Sequence, residues 1–176
     1  MNLEKLKYPI GRYQVEDNID KILIKNSIKE IEILPQKLSD AVKGLSLSQL
    51  QTPYRPEGWT IQQVVHHIAD SHMNSYIRFK LALTEDKPMI KPYDEKLWAD
   101  LPDSKVVDIN VSLDLIKSLH KRWTDLLKQL SKEQLNKEFL HPESGLKKLN
   151  ETICHYAWHG NHHLAHITSL KERMNW

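Results

Sequence analysis

Residues 149–174 read LNETICHYAWHGNHHLAHITSLKERM, a stretch without proline and with a single glycine. Its apolar side chains recur with the spacing of one helix face, from Leu149 through Ile153, Tyr156 and Leu164 to Ile167. The stretch therefore predicts a long amphipathic helix that buries one face against other helices. It also carries five of the ten histidines of the chain, all between residues 155 and 167. Histidine is the commonest metal ligand, so this density calls for a chemical explanation.

Three further stretches carry the same helical periodicity. We predict helices over about 18–42, 60–83 and 111–130, in addition to 149–174. The first ends near Gly44, a residue suited to a helix C-cap, and contains Pro35, which predicts a kink. The second begins with Thr60 and Gln63, which have the spacing of a capping box. Four helices of this length predict a helix bundle.

The segments between these helices are predicted to be connections. Residues 1–17 should form an arm packed on the bundle, and residues 141–148 should form a loop. Residues 87–108 hold three prolines and predict a long crossover with at most a short helix at about 95–98. Five glycines and no Asn-Gly or Asp-Gly pair argue against β structure. We therefore predict an all-α fold, a single domain over residues 1–176 that forms a four-helix bundle with a long crossover connection and an N-terminal arm.

Composition and charge limit the functional classes. Lysines and arginines number 25 and acidic residues 23, and the two signs are interspersed, which argues against a nucleic-acid partner. No apolar run approaches the roughly 18 residues that span a bilayer, and the N-terminus lacks the apolar stretch of a signal peptide. The single cysteine, Cys154, cannot form an internal disulfide and is interpreted as a small buried filler. We expect a cytoplasmic protein with no membrane partner.

The histidines of the last predicted helix lie on different faces of that helix. At about 100° per residue, His159 and His163 lie one turn apart on one border of the apolar face. Side chains spaced by four are about 5–6 Å apart at Cβ, so both imidazoles can reach one ion. His155 and His162 project from the opposite side and are expected in solvent.

The second helix offers a third imidazole through its VVHHIADSH segment. His67 lies on the border of its apolar face, in the position that His159 has on the last helix, whereas His66 faces nearly away and is expected in solvent. His72 falls within the apolar face and is expected to be a hydrogen-bonded packing residue. His120 and His141 are assigned to surface or loop positions. A single border histidine is more often structural than a ligand, but two borders together predict the metal ligands His67, His159 and His163.

Long strings of the sequence resemble the YfiT-like branch of the DinB superfamily. They are YPIG at 8–11, the run WTIQQVVHHIADSHMNSYIRFKLALTEDKPMIKPYDEKLW at 59–98 and YAWHGNHHLAHI at 156–167. The resemblance implies a four-helix bundle that binds one divalent metal through His67, His159 and His163. It also implies a cytoplasmic homodimer and a metal-dependent hydrolase. Some relatives in the superfamily are similar to transferases that use a low-molecular-weight thiol such as bacillithiol or mycothiol.

Three imidazoles without a carboxylate leave a coordination position open and keep the full charge of the ion. Zn²⁺ is the expected metal and Ni²⁺ or another transition metal is the alternative. Such an ion activates water for hydrolysis of a small-molecule substrate. The motif HGNHH is not HExxH, because Gly160 stands where a zinc protease has its glutamate. A general base must then come from elsewhere, with Asp70, Glu57 and Glu151 as candidates.

Two other functions stay open. A metal-dependent thiol S-transferase needs no protein base, since a metal ion alone deprotonates a thiol. Arg78, on the same helix stripe as His67, or Arg55 could bind the carboxylates of such a thiol. The third hypothesis is a non-catalytic module that binds a metal ion or acts in a stress response.

Overall fold

The computed structural model describes residues 2–16 and 18–176. Four long helices form the body of the molecule, and short helices and one hairpin occupy the connections. In chain order the elements are α1 (Leu3–Lys7), α2 (Lys21–Val42), α3 (Leu47–Leu50), α4 (Ile61–Thr84), α5 (Glu95–Ala99), α6 (Asp103–Val106), α7 (Ile109–Leu127), α8 (Lys132–Leu135), β1 (Glu138–His141), β2 (Gly145–Lys148) and α9 (Leu149–Met174).

Capping side chains explain where α2 and α4 begin. Helix α2 starts three residues later than predicted because the carboxylate of Asp20 caps it, accepting the Leu23 N–H at 2.7 Å. Helix α4 starts where its capping box predicted, with Thr60 and Gln63 bonded reciprocally. Helix α9 has the predicted bounds, and α2 continues through Pro35.

Replacing Thr60 by alanine should lower the free energy of unfolding by about 1 kcal/mol. The substitution removes the hydroxyl oxygen that accepts the Gln63 N–H at 3.1 Å. For a chain of this size we expect a fall in melting temperature of about 2–4 °C, measured by circular dichroism. Thr60→Ser, which keeps the oxygen, should melt close to the parent. An unchanged melting temperature in the alanine variant would contradict a role for this cap.

The order of helices around the bundle differs from their order in the chain. Helix α2 packs against α7 and α9, and α4 packs against the same two helices. Helices α2 and α4 therefore occupy diagonally opposite corners of the bundle, as do α7 and α9. The connection from α4 to α7 includes the predicted crossover, which contains α5 and α6 rather than a single short helix. The bundle interior is thus lined by all four helices at every level.

The core consists of two apolar clusters at different heights of the bundle. One is centred on Phe79 and Trp123, and the other on Leu38 and Ile68, all of them at most 2% exposed. Between the clusters α4, α7 and α9 contribute buried histidines to a polar layer, among them His72, His120 and His163. Side chains buried in such a layer must be hydrogen-bonded or bind an ion, because an unpaired buried polar group is costly.

A β-hairpin replaces part of the loop predicted at 141–148. Strand β1 pairs antiparallel with β2, with Glu138 opposite Lys148 and His141 opposite Gly145. Gly145 has φ 77°, the left-handed conformation that glycine adopts most easily, and it begins the return strand. The expectation of no β structure was therefore wrong at this hairpin, which carries no Asn-Gly or Asp-Gly signal. In the described part of the chain, no helix combines the length and apolarity needed to cross a bilayer.

Candidate metal centre

Helices α4 and α9 bring His67, His159 and His163 together in the polar layer. One ring nitrogen from each of the three lies within 4.8 Å of the others. The ring centroids of His67 and His163 are 4.6 Å apart, those of His159 and His163 4.5 Å, and those of His67 and His159 5.4 Å. One shared ion, bonded to each nitrogen at about 2.0–2.1 Å, would hold the nitrogens within about 4 Å of one another, which is close to the separation in this structure.

Burial keeps these three imidazoles neutral. It lowers the pKa of His67 to about 4 and holds the pKa of His159 and of His163 well below the ordinary value, with a further contribution from neighbouring histidines. A neutral imidazole has a free lone pair at physiological pH, which is the form that binds a metal ion. The triad is therefore in the ligand state without any need to release protons.

The surroundings of the triad suit a nitrogen-bound cation. Nδ1 of His159 is hydrogen-bonded to His72, which leaves its Nε2 available. Nδ1 of His163 is buried without a hydrogen-bond partner among the described residues. The group contains only histidines, and imidazole nitrogen suits Zn²⁺, Ni²⁺, Cu²⁺ and Fe²⁺. The residues present thus fit one divalent transition-metal ion.

A cleft of about 340 Å³ opens on the triad. Arg78 lines it, is half-buried and forms no ion pair with any residue in 2–16 or 18–176. Tyr93 lines the cleft too, and burial raises the pKa of its phenol, which therefore stays protonated. The cleft thus combines the ligand set with an unpaired cation and a phenolic donor.

The other residues considered as bases or anion ligands lie outside this cleft. Asp70 is half-buried away from it, and burial together with the charge of Asp103 raises its pKa to about 6. Neither Glu57 nor Glu151 lines the cleft. Arg55 is also absent from it, because its guanidinium donates to the Tyr54 hydroxyl at 3.2 Å and to the Pro56 carbonyl at 2.8 Å.

Two carboxylates that periodicity did not identify reach the cleft instead. Glu95 stands in the first turn of α5, and Glu143 lies in the turn of the hairpin. His141, at the end of β1, lines the same cleft and accepts the Glu143 N–H at 3.3 Å, so it belongs to the site and not to a distant loop. No sequence signal identified these residues, because their position depends on how the crossover and hairpin fold over α4.

His66 and His162, expected in solvent, are buried. His66 is 6% exposed because the end of the crossover covers it, and its ring bonds to the Ser112 hydroxyl and the Val107 carbonyl. His162 is 7% exposed because its ring stacks on Trp158 of the same helix at a centroid distance of 4.5 Å and lies 5.8 Å from the ring of Tyr8 in the N-terminal segment. These expectations were wrong because a single helix does not reveal what packs on its outer face.

Two further histidine assignments change in the structure. His120, assigned to the surface, is 1% exposed and bonds to the Ile31 carbonyl and to His72. His155, expected in solvent, is half-buried because Tyr13 of the N-terminal segment packs edge-on against it at 4.9 Å. His72 is fully buried and hydrogen-bonded, and Cys154 is a buried side chain beside Ser27, as their wheel positions predicted.

The metal-free protein should lose stability as the pH falls from 6.5 toward 4. Burial lowers the pKa of His120 and of His166 from 6.5 to about 4. Below pH 6.5 the unfolded chain binds protons that the folded chain does not, so stability present above 6.5 is progressively lost. Each such histidine contributes a slope of about 1.4 kcal/mol per pH unit. Urea unfolding at a series of pH values measures this slope, and a flat profile would contradict the burial of neutral histidines.

Comparison with known proteins places these features in a family. Residues 30–167 match the family model of the DinB superfamily. A protein of Bacillus cereus (strain 03BB102) named "Putative metal-dependent hydrolase" is 57% identical over 174 residues, which cover 99% of this chain and 100% of that protein. A protein of Bacillus mycoides (strain KBAB4) with the same description shows the same identity and coverage.

A solved structure is similar over nearly the whole chain. It is YfiT from Bacillus subtilis, described as "a probable metal-dependent hydrolase with an unusual four-helix bundle topology". The TM-score is 0.95 at 51% identity, and the match covers 98% of this chain and 99% of that one. The four-helix bundle predicted from the sequence is confirmed by this likeness. With a family match over most of its length and relatives above half identity, the chain belongs to the DinB superfamily, in its YfiT-like branch.

Proposed function

We propose that the protein is a metal-dependent hydrolase in which His67, His159 and His163 hold one divalent ion, with Zn²⁺ as the expected metal. The observation that supports it is the convergence of three neutral imidazoles on a cleft, with no carboxylate in the ligand group. Bound there, the ion supplies Lewis acidity, which polarises a substrate carbonyl and makes water a better nucleophile at neutral pH. The names of the relatives agree with this reaction class.

The residues of the cleft supply what a hydrolysis needs besides the ion. The guanidinium of Arg78 binds a carboxylate or the negative charge that develops on the substrate. Glu95 and Glu143 are the carboxylates that line the cleft, and one of them takes a proton from water and returns it to the leaving group. The phenol of Tyr93 is a donor that stays protonated. Asp70, one of the three candidate bases from the sequence, is not part of this proposal because it does not line the cleft.

A thiol S-transferase is the second candidate, and Arg78 favours it. An unpaired guanidinium beside the triad suits a small thiol that carries carboxylates, such as bacillithiol. In that reaction the sulfur forms a bond to an electrophilic carbon, a leaving group departs, and the thiol proton goes to solvent. No residue of the chain has to act as a base.

Activity of the metal-loaded protein separates these functions. Untagged protein, purified without chelating resin and loaded with Zn²⁺, is assayed on a panel of esters and amides without thiol. It is then assayed on a thiol-reactive electrophile with and without bacillithiol or cysteine. Turnover without thiol that is lost in His159→Ala supports hydrolysis, and thiol-dependent turnover supports transfer. If neither kind of turnover is found, the result contradicts the proposal of an enzyme and supports a non-catalytic metal-binding module.

The same assay identifies the proton carrier. Glu95→Gln and Glu143→Gln remove a carboxylate of the cleft with little change in shape. The variant that loses the base should lower kcat by about 10²–10⁴-fold, the range of general base catalysis. Asp70→Asn is the matched control and should retain activity. A larger loss in the control than in either glutamine variant would contradict our assignment.

A further inference from the structure

A continuous chain of hydrogen bonds crosses the bundle and ends at the triad. The Ile31 carbonyl lies 2.6 Å from Nδ1 of His120, and Nε2 of His120 lies 2.9 Å from Nδ1 of His72. Nε2 of His72 lies 3.2 Å from Nδ1 of His159. Its four members come from α2, α7, α4 and α9, so every helix of the bundle contributes one.

Pro35 explains why this series of hydrogen bonds can begin at a main-chain carbonyl inside α2. In an α-helix the carbonyl of residue 31 accepts the N–H of residue 35. Residue 35 is proline, which has no N–H, so the Ile31 carbonyl lacks its partner within α2. His120 supplies the missing donor from α7. The proline inside α2 thus leaves a buried acceptor, and here a side chain from another helix satisfies it.

The chemistry of neutral imidazole then sets the direction of every bond. A neutral ring has one N–H donor and one acceptor nitrogen. Both intervening histidines are buried, His72 completely and His120 to within 1%, and an apolar interior favours the uncharged imidazole over the imidazolium. A carbonyl can only accept, so Nδ1 of His120 carries the proton and its Nε2 accepts from Nδ1 of His72. By the same step, Nε2 of His72 accepts from Nδ1 of His159.

We propose that His120 and His72 are positioning residues that hold His159 in its Nδ1–H tautomer, so that Nε2 keeps the lone pair for a metal ion. Both act through His159 and neither contacts the ion. This inference rests on the metal centre proposed above. It assigns a role to two histidines that stand outside the ligand set, and it explains the proline in α2.

Nitrogen NMR of the metal-free protein tests the tautomers directly. Protonated and unprotonated ring nitrogens of ¹⁵N-labelled histidine differ widely in chemical shift, and long-range couplings assign them to Nδ1 or Nε2. At mildly alkaline pH we expect His120, His72 and His159 all as Nδ1–H tautomers, opposite to the preference of free histidine. An Nε2–H tautomer at His72 or His159 would overturn the proposal. Since no metal is present, this result does not depend on whether the wild-type protein binds an ion.

Metal affinity tests the consequence with matched variants. His120→Phe removes both bonds of the ring, and we expect Zn²⁺ affinity to fall by about 10–100-fold in competition with a chromogenic chelator. His120→Gln, whose amide can donate to Ile31 and accept from His72, should recover most of that loss. His66→Phe is the control, since it also deletes a buried ring with two hydrogen bonds. Parental affinity in His120→Phe, or an equal loss in the control, would overturn the proposal. Absence of Zn²⁺ binding by the wild type would instead refute the metal centre.

Discussion

Replacing His163 by alanine should abolish binding of the divalent ion. Loss of a residue that only orients a ligand lowers metal affinity by about 10–100-fold. Removing a ligand deletes a coordinate bond, so the loss should exceed that range. His67→Ala and His159→Ala should behave in the same way, because the three rings contribute one nitrogen each to a single group.

Chelator competition and elemental analysis measure this outcome. The parent should contain close to one ion per chain, and each of the three variants close to none. His162→Ala is the matched control, since its ring is as buried as that of His163 and stacks on Trp158. This control should lose stability yet retain the ion. If it lost the ion as completely as His163→Ala, the ligand set would be wrong.

Gly160→Glu should destabilise the folded protein severely, although it converts HGNHH into the HExxH pattern of zinc proteases. A Cβ at position 160 would lie 2.4 Å from Cδ2 of Leu34, a side chain that is only 2% exposed. The new carboxylate would therefore enter the packed interface of α2 and α9 and not the cleft. Overpacking costs about 1–3 kcal/mol and an unpaired buried carboxylate adds several more.

Urea unfolding of the metal-free variants measures the cost. Gly160→Ala should lose about 1–3 kcal/mol through overpacking alone, less what the helix gains from alanine. Gly160→Glu should lose clearly more, or fail to fold. A glutamate variant as stable as the alanine variant would show that position 160 faces the cleft. The reason for placing the general base on the crossover or the hairpin would then no longer hold.

Much of the bundle follows from local sequence. The bounds of α9, the capping box at Thr60 and the i,i+4 pair His159 and His163 all depend on interactions within about one helical turn. Periodicity also placed His67 on the border of its helix, but periodicity cannot show that this border meets the border of α9. The resemblance to the YfiT-like branch of the DinB superfamily implied that the three histidines share one site. The hairpin and α6 escaped prediction because their conformation depends on contacts with α4.

The wrong predictions of exposure concerned helix faces that other parts of the protein cover. His66 and His162 point away from the apolar stripe of their own helices, and we predicted a surface or loop position for His120. All three are buried. The crossover covers His66, and Tyr8 of the N-terminal segment and Trp158 of the same helix pack on His162. His120 bonds across the core to the Ile31 carbonyl and to His72. The glutamates of the cleft were missed for the same reason, since they stand on the crossover and the hairpin.

The amino-acid sequence by itself determined the helices, their apolar stripes and the histidines that border them, because helical geometry repeats every few residues and needs no distant partner. Only the tertiary structure decided the diagonal order of helices, the burial of the remaining histidines and the bond that joins the Ile31 carbonyl to His120. Those features arise where residues far apart in the chain exclude water together, and no local pattern records which surfaces will meet.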